Sequence, residues 1–291
     1  MWFWLIVIVG LLSAVRQLIA RIVLKEAADG LAYGFVQQAL AVVLAIPLLF
    51  FNWQIPKTIL PFVLLILVGV WDTLVCYLIN ESYRLLAISL RTIIYQSRII
   101  WVVFLGFIFL DETLDWQKLV GVVFIFFGIA LVSFQKEKMS RFKQLILRLR
   151  DKNKTDKERG VVLTLSAAFL TAFEIIAIRY LLDFFSAAVL ILGIAGVSTF
   201  IFALIIPGLK KKVFQLPRLT FLNGILGAIG FFLFSLASAV TEISKTLPIA
   251  QSFTILTVIF GIIFLKERER VWQKILGGIL AVIGVILVKG S

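Results

Sequence analysis

Five charged side chains lie deep within long apolar stretches of the sequence: Arg16, Asp72, Arg91, Arg98 and Glu174. A charge surrounded by hydrocarbon is costly unless it is paired or faces water. Residues of this kind therefore mark sites for ion pairing, for proton transfer or for the binding of a charged solute. Which of these roles is feasible depends on the structure of the apolar stretches that contain the charged residues.

The apolar stretches that carry these charges have the length of membrane spans. The chain has 291 residues, of which 62% are hydrophobic and 15% charged, so it is far more apolar than soluble proteins are. Stretches of roughly 17 to 25 residues, the length of a helix that crosses a bilayer, recur ten times: 2–22, 31–51, 58–79, 85–110, 116–134, 160–182, 186–206, 219–240, 243–265 and 272–288. Because hydrocarbon leaves unpaired backbone groups without water, these stretches are predicted to be α-helices. The predicted fold class is an all-α integral membrane protein.

Basic residues are distributed unevenly over the connections between these spans. With ten spans, 21 Lys and Arg residues lie on one side of the membrane and 4 on the other. The positive-inside rule makes the first side cytoplasmic and places both termini outside. We therefore expect a multi-pass protein of the plasma (inner) membrane. The net charge of +13 then suits anionic lipid headgroups, so the expected partner is the lipid bilayer and not nucleic acid.

The second half of the chain repeats part of the first. Two pairs of segments align with 19 identical residues among 42 compared: 88–112 with 243–267, and 116–132 with 272–288. The matches include Gln96 with Gln251 and Trp116 with Trp272, which a general apolar bias does not produce. This pattern indicates an internal duplication.

The duplication predicts an inverted repeat. The copies start five spans apart, and because five is odd they cross the membrane in opposite directions, as in many secondary transporters. We predict two five-helix repeats, 1–134 and 160–291, joined by a basic cytoplasmic connection at 135–159. Within this connection, 139–150 has either the pattern of an in-plane amphipathic helix or that of a solvated linker.

Each copy has an acidic residue just after its fourth predicted span. Its fifth predicted span contains two glycines that are seven residues apart. These residues are Glu112, Gly121 and Gly128 in the first copy, and Glu267, Gly277 and Gly284 in the second. Pro248 precedes Glu267 in the second copy, whereas Ile93 takes its place in the first. In this respect the chain resembles the EamA-type transporters of the drug/metabolite transporter superfamily. The resemblance implies a carrier of small organic metabolites or drugs, with a cavity lined mainly by the first, third and fourth helices of each copy.

The charged residues lie at mid-depth in the predicted bundle. With a rise of ~1.5 Å per residue, Arg16 and Asp72 share one level, and Arg98 and Glu174 share another. We predict one ion pair at each level, with a contact between Arg16 and Glu174 as the alternative, because these two occupy equivalent positions in the copies. The pairs either fasten helices together or take part in transport, and the sequence leaves both roles open.

The fourth predicted span supplies a candidate wall of a substrate cavity. Arg91, Tyr95 and Arg98 lie at i, i+4 and i+7, on one helical face that suits an anionic or carboxylate group. Phe253 replaces Arg98 in the second copy, so that one wall is expected to be cationic and the other apolar. An amphipathic substrate fits this contrast.

Four further residues are candidates for the cavity or for helix motion. Gln96 and Gln251 either bind substrate through hydrogen bonds or join helices. Trp101 either stacks on a ring in the substrate or packs against lipid and core. Pro248 removes a backbone donor within a span, so it is the candidate hinge unless it simply begins a helix.

These observations favour a secondary transporter that moves a small organic solute, amphipathic and amino-acid-like, by alternating access, with proton coupling through Glu174 or Asp72 as an option. No metal or other cofactor is expected, because the chain has no histidine and one cysteine, Cys76, and no GxxxxGK[ST] motif for a nucleotide. An integral-membrane enzyme is disfavoured, because no carboxylates or histidines cluster at a membrane face. A lipid or headgroup flippase on the same scaffold stays open, and so does a homodimer.

Overall fold

Helix boundaries follow the apolar stretches of the sequence. The computed structural model describes residues 2–25, 29–50, 53–109, 116–133, 156–241, 246–247, 249–250, 253–267 and 271–289. All regular secondary structure in these residues is helical. The helices are α1 (Trp2–Lys25), α2 (Gly30–Leu48), α3 (Leu60–Leu85), α4 (Ile88–Tyr95), α5 (Ser97–Phe109), α6 (Trp116–Ser133), α7 (Asp156–Leu181), α8 (Ala187–Ile205), α9 (Leu209–Phe214), α10 (Arg218–Val240), α11 (Thr254–Phe264) and α12 (Val271–Lys289).

The lengths of the helices support an all-α integral membrane protein. Within the described residues, seven helical segments are long and apolar enough to cross a bilayer, with α4 and α5 counted together as Ile88–Phe109. Three shorter apolar segments lie where the fifth, ninth and tenth spans are predicted: Leu119–Gly128, Thr254–Phe264 and Val271–Gly284. The arrangement as ten spans in two inverted repeats remains a prediction.

Some boundaries differ from those predicted. Helix α3 continues to Leu85 instead of ending near residue 79, because Tyr83 near its end is buried among apolar neighbours. The predicted fourth span is interrupted at Gln96, where α4 ends and α5 begins. The short basic helix α9 was not predicted from the sequence. The predicted in-plane helix at 139–150 lies outside the described residues.

Asp29 fixes the start of α2 and joins it to α9. One of its carboxylate oxygens, Oδ1, accepts hydrogen bonds from the backbone N–H groups of Leu31 at 3.0 Å and Ala32 at 3.2 Å, as N-cap residues do. The other, Oδ2, lies 2.8 Å from Lys212 Nζ. Burial raises the pKa of Asp29, but the hydrogen bonds from Lys212 and from the two N–H groups outweigh burial and leave this pKa below its usual value.

Helix contacts occur in corresponding pairs when the second copy is placed over the first. Helix α1 packs along α10 as α7 packs along α3, and α2 packs on α10 as α8 packs on α3. Helix α2 also packs along α8, and α6 along α12, so equivalent helices of the two copies contact each other. Large apolar side chains, such as Leu204 at 69% exposure and Phe200 at 64%, cover the outer surface, where hydrocarbon is a suitable neighbour.

Glycines bring α6 and α12 into close contact. A Cβ atom on Gly128 would lie 2.6 Å from the carbonyl oxygen of Gly277, and one on Gly284 would lie 2.5 Å from that of Gly121. Backbones can approach this closely only where no side chain stands between them. The glycines spaced seven residues apart in the sequence therefore lie where these two helices meet.

We expect Gly128→Ala to destabilise the protein by about 1–3 kcal/mol, because the new methyl group overlaps backbone that cannot move aside easily. The change should lower the midpoint of thermal unfolding measured in detergent. The matched control is Gly196→Ala in α8, where an added Cβ meets nothing within 4 Å. Equal midpoints for the two variants would contradict this account of the α6–α12 interface.

Candidate functional site

A cavity lined by both charged and apolar residues lies between helices of the two halves of the chain. Its volume is about 320 Å³, and residues of α1, α2, α3, α5, α7 and α10 line it together with Leu247 and Ala250. These elements include the first, third and fourth helices of each copy, which the family resemblance implies, and α2 in addition. Four of the five intramembrane charges line the cavity: Arg16, Asp72, Arg98 and Glu174.

Two carboxyl groups from different halves of the chain line this cavity as close neighbours. Asp72 on α3 and Glu174 on α7 are near enough for the charge of each to affect the other. Asp72 Oδ2 also accepts from Gln38 Nε2 at 2.6 Å and from the Ser198 hydroxyl at 2.5 Å. Two ionised carboxylates at close range repel each other, and a proton on either of them relieves this repulsion.

The predicted ion pairs are wrong. Among the described residues, Arg16 forms no ion pair with Asp72, Arg98 forms none with Glu174, and the alternative contact between Arg16 and Glu174 is also not formed. Arg16 Nε instead donates to Asn223 Oδ1 at 3.4 Å, and Asn223 Nδ2 donates to the Arg16 carbonyl at 2.6 Å. The position of a residue along its helix fixes its depth in the bundle but not the direction in which its side chain points around the helix axis. That direction determines which of these contacts form.

Arg98 is a cation of the cavity with unused hydrogen-bonding capacity. Its guanidinium lies 4.4 Å from the centre of the Tyr95 ring, close enough for a cation–π contact. Within the described part of the chain, no side chain or backbone group accepts a hydrogen bond from it, although Glu174 is near enough to attract its charge.

Arg91 and Tyr95 stand behind Arg98 and outside the cavity lining. The Arg91 guanidinium lies 3.6 Å from the Tyr83 ring centre and 4.8 Å from that of Tyr95. Its Nε atom donates to Ser82 Oγ at 2.8 Å, and the residue is 1% exposed. The expectation that Arg91 forms the cavity wall is therefore corrected. Tyr95, whose hydroxyl lies 2.9 Å from Thr171 Oγ1, instead holds Arg98 in place.

The other candidates also lie outside the lining or outside the described residues. Gln96 is buried, and its Nε2 donates to Thr254 Oγ1, so it joins the two halves. The Phe253 ring packs against Gly10 of α1. Trp101 is 41% exposed on the outer surface, with its ring centre 4.9 Å from that of Phe169. Gln251 and the predicted hinge, Pro248, lie outside the described residues.

Uncharged polar residues in and beside the cavity were not predicted from the sequence. Gln37 and Gln38 lie in the middle of α2, and Gln37 Nε2 donates to Asn223 Oδ1 at 2.8 Å. Asn223 on α10 accepts a hydrogen bond from Arg16. Ser198 on α8 donates one to Asp72. Adjacent glutamines inside an apolar stretch are the signal that could have revealed this part of the site.

Comparison with known proteins identifies the family. The family described as EamA-like transporter family matches residues 1–134 and 158–290. No curated protein matches the chain. Among the 25 solved chains that do, a crystal structure of a protein has 10% identity and a TM-score of 0.62, with 96% of this chain and 97% of that chain covered. At this identity the similarity concerns the fold alone. The family match covers nearly the whole chain, which therefore belongs to the EamA-like transporter family, multi-pass membrane transporters of the drug/metabolite transporter superfamily.

Proposed function

We propose that the protein is a secondary transporter of small amphipathic solutes, amino-acid-like in chemistry, in the plasma membrane with both termini outside. Transport proceeds by alternating access of two inverted five-helix repeats around the central cavity, and it is coupled to protons. The observation that carries the proposal is one cavity that holds a free guanidinium at Arg98 and a carboxyl pair at Asp72 and Glu174. The position of this cavity between helices of both copies supports alternating access.

The charges of the cavity favour a solute that bears both a carboxylate and an amine. Arg98 can bind a carboxylate in a two-pronged, charge-assisted arrangement. The Asp72–Glu174 pair can bind an ammonium group or a proton. Apolar lining residues, such as Leu12, Phe231 and Phe234, can contact an apolar side chain. A cavity of about 320 Å³ is at the lower end of the range for small-molecule sites, roughly 300–1,000 Å³.

The carboxyl pair also supports proton coupling. The pair faces the cavity with Arg98, Arg16 and Cys76 as its ionisable neighbours. One proton on the pair offsets the repulsion between its carboxyl groups, and an arriving ammonium group can take over this role. Binding of the solute then releases the proton, which links the movement of one to that of the other.

A panel of matched compounds tests the proposed substrate class. In proteoliposomes loaded with phenylalanine, we expect exchange of labelled phenylalanine or leucine at least about tenfold faster than that of phenethylamine or 3-phenylpropionate. Each of the last two compounds lacks one charged group, and each lost charge-assisted contact costs about 1.5–3 kcal/mol. Empty liposomes provide the control. Equal exchange of the amine and the amino acid would contradict the role given to Arg98, and no exchange of either amino acid would contradict the substrate class.

A further inference from the structure

The acidic residue at the end of the second repeat holds a helix of the first. Glu267 follows α11, and its Oε1 accepts from the backbone N–H of Ile88 at 2.7 Å. Its Oε2 accepts from the N–H of Ser89 at 3.1 Å and from the Ser89 hydroxyl. Ile88 and Ser89 begin α4, where the N–H groups of a helix have no partners within the helix. Ala87, the residue before α4, supplies no side-chain cap, so Glu267 serves as the cap.

The local backbone aims Glu267 at α4. Lys266 has a φ of 54°, the left-handed conformation that often ends a helix. The Glu267 N–H then donates to the Gly261 carbonyl at 3.2 Å. Lys274 on α12 donates to the Glu267 carbonyl at 3.0 Å, and its Nζ lies 3.7 Å from Oε2. The side chain of Glu267 is 9% exposed, so these contacts are formed largely out of water.

Gly261 makes room for this contact. A Cβ atom at this position would lie 2.6 Å from the Ile88 side chain and 3.0 Å from Glu267 Oε2. The contact between Glu267, Ile88 and Ser89 is called the clasp below. It joins the end of α11 to the start of α4 and therefore the second repeat to the first.

Apolar side chains fill the space between the clasp and the cavity. Leu24, Tyr33, Tyr83 and Ile88 are buried in one cluster, which Leu265 and Leu226 of the second half also contact. Ile79 both contacts this cluster and lines the cavity. Arg21 covers the same end of the bundle, since its guanidinium donates to the carbonyls of Tyr83 and Arg84. This cluster and Arg21 thus lie between the cavity and the face predicted to be cytoplasmic.

We propose that the clasp is the latch of the cytoplasmic gate, and that Glu267 is a positioning residue whose release from α4 opens the cavity on that face. The proposal rests on the alternating access proposed above. Helix α4 ends at Tyr95, whose ring contacts the guanidinium of Arg98 at the start of α5. Seven residues, or about 10 Å along α4, separate Ile88 from Tyr95. Glu267 holds the start of α4, so a change at the clasp moves α4. This movement reaches Arg98 in the cavity through Tyr95.

The single cysteine of the chain provides the test. Cys76 lines the cavity, and because the sequence has one cysteine, every thiol label reports on that position. The probe is a small, membrane-impermeant methanethiosulfonate, applied to inside-out and right-side-out vesicles that contain the full-length protein. In Glu267→Ala, which loses all three accepted hydrogen bonds, we expect labelling from the cytoplasmic face to be about tenfold faster than in wild type. Labelling from the opposite face should stay the same or slow down.

Graded variants separate a latch from a general loss of stability. Ser89→Ala removes one hydroxyl contact, and we expect a two- to threefold increase on the cytoplasmic face only. Asp183→Asn is the matched control, because Asp183 pairs with Arg179 on the same exposed helix end, and it should label like wild type. Equal acceleration from both faces in Glu267→Ala, or a wild-type rate from the cytoplasmic face, would overturn the proposal. If Glu267→Ala does not fold, the sidedness of Ser89→Ala decides. Labelling needs no substrate, so an error in the substrate class leaves this result unaffected.

Discussion

Replacement of Arg98 by alanine should reduce solute exchange at least about 100-fold while the protein still inserts and folds. Arg98 lines the cavity, and its guanidinium lies 4.4 Å from the centre of the Tyr95 ring, which holds it in place. A substrate carboxylate that enters the alanine variant loses the guanidinium that would replace its water at this position. A buried charge without its partner costs several kcal/mol, and each 1.4 kcal/mol corresponds to a factor of ten.

Two companion variants identify the cause of the loss. Arg98→Lys keeps the charge but not the planar pair of donors, so we expect about a tenfold reduction. Arg179→Ala removes an arginine that pairs with the exposed Asp183 at 2.8 Å, and exchange should stay at the wild-type rate. The measurement is counterflow of labelled phenylalanine, together with gel filtration in detergent to check folding. Normal exchange by Arg98→Ala would show that the assignment of the cavity is wrong.

Replacement of Glu174 by glutamine should uncouple transport from protons. Glutamine has nearly the same size and can still hydrogen bond to Asp72, but it cannot exchange a proton with the carboxyl pair. We expect exchange of phenylalanine between equal solutions to fall by no more than about threefold. The accumulation that an imposed pH gradient drives should disappear, because in this variant no proton is bound or released with the solute.

The partner of Glu174 allows a second test of the same proposal. Asp72→Asn should give the same result as Glu174→Gln, because the two carboxyl groups share one proton. Asp183→Asn, a carboxylate on the exposed end of α7, should accumulate phenylalanine as wild type does. Gradient-driven accumulation at the wild-type level in both cavity variants would contradict proton coupling through this pair.

Several features of the site could be predicted from the sequence. Charges inside apolar stretches marked four residues that line the cavity, because the cost of a charge in hydrocarbon restricts such residues to polar surroundings. The repeated pattern of Glu267, Gly277 and Gly284 indicated the family. Four uncharged polar residues were not predicted: Gln37, Gln38, Asn223 and Ser198. The free-energy cost of an uncharged polar side chain in a membrane span is low, so such a residue often has no role beyond helix packing.

The sequence by itself determined that this protein is an all-α membrane protein with a duplicated pattern, because the length of apolar stretches and the recurrence of residues are one-dimensional properties. Only the tertiary structure decided that Asp72 meets Glu174, that Arg98 stacks on Tyr95 instead of pairing with an acid, and that Glu267 caps α4. These contacts depend on how each helix is rotated about its own axis and which neighbour it faces. Such rotation is set by the packing of side chains from distant parts of the chain, which spacing along one helix does not contain.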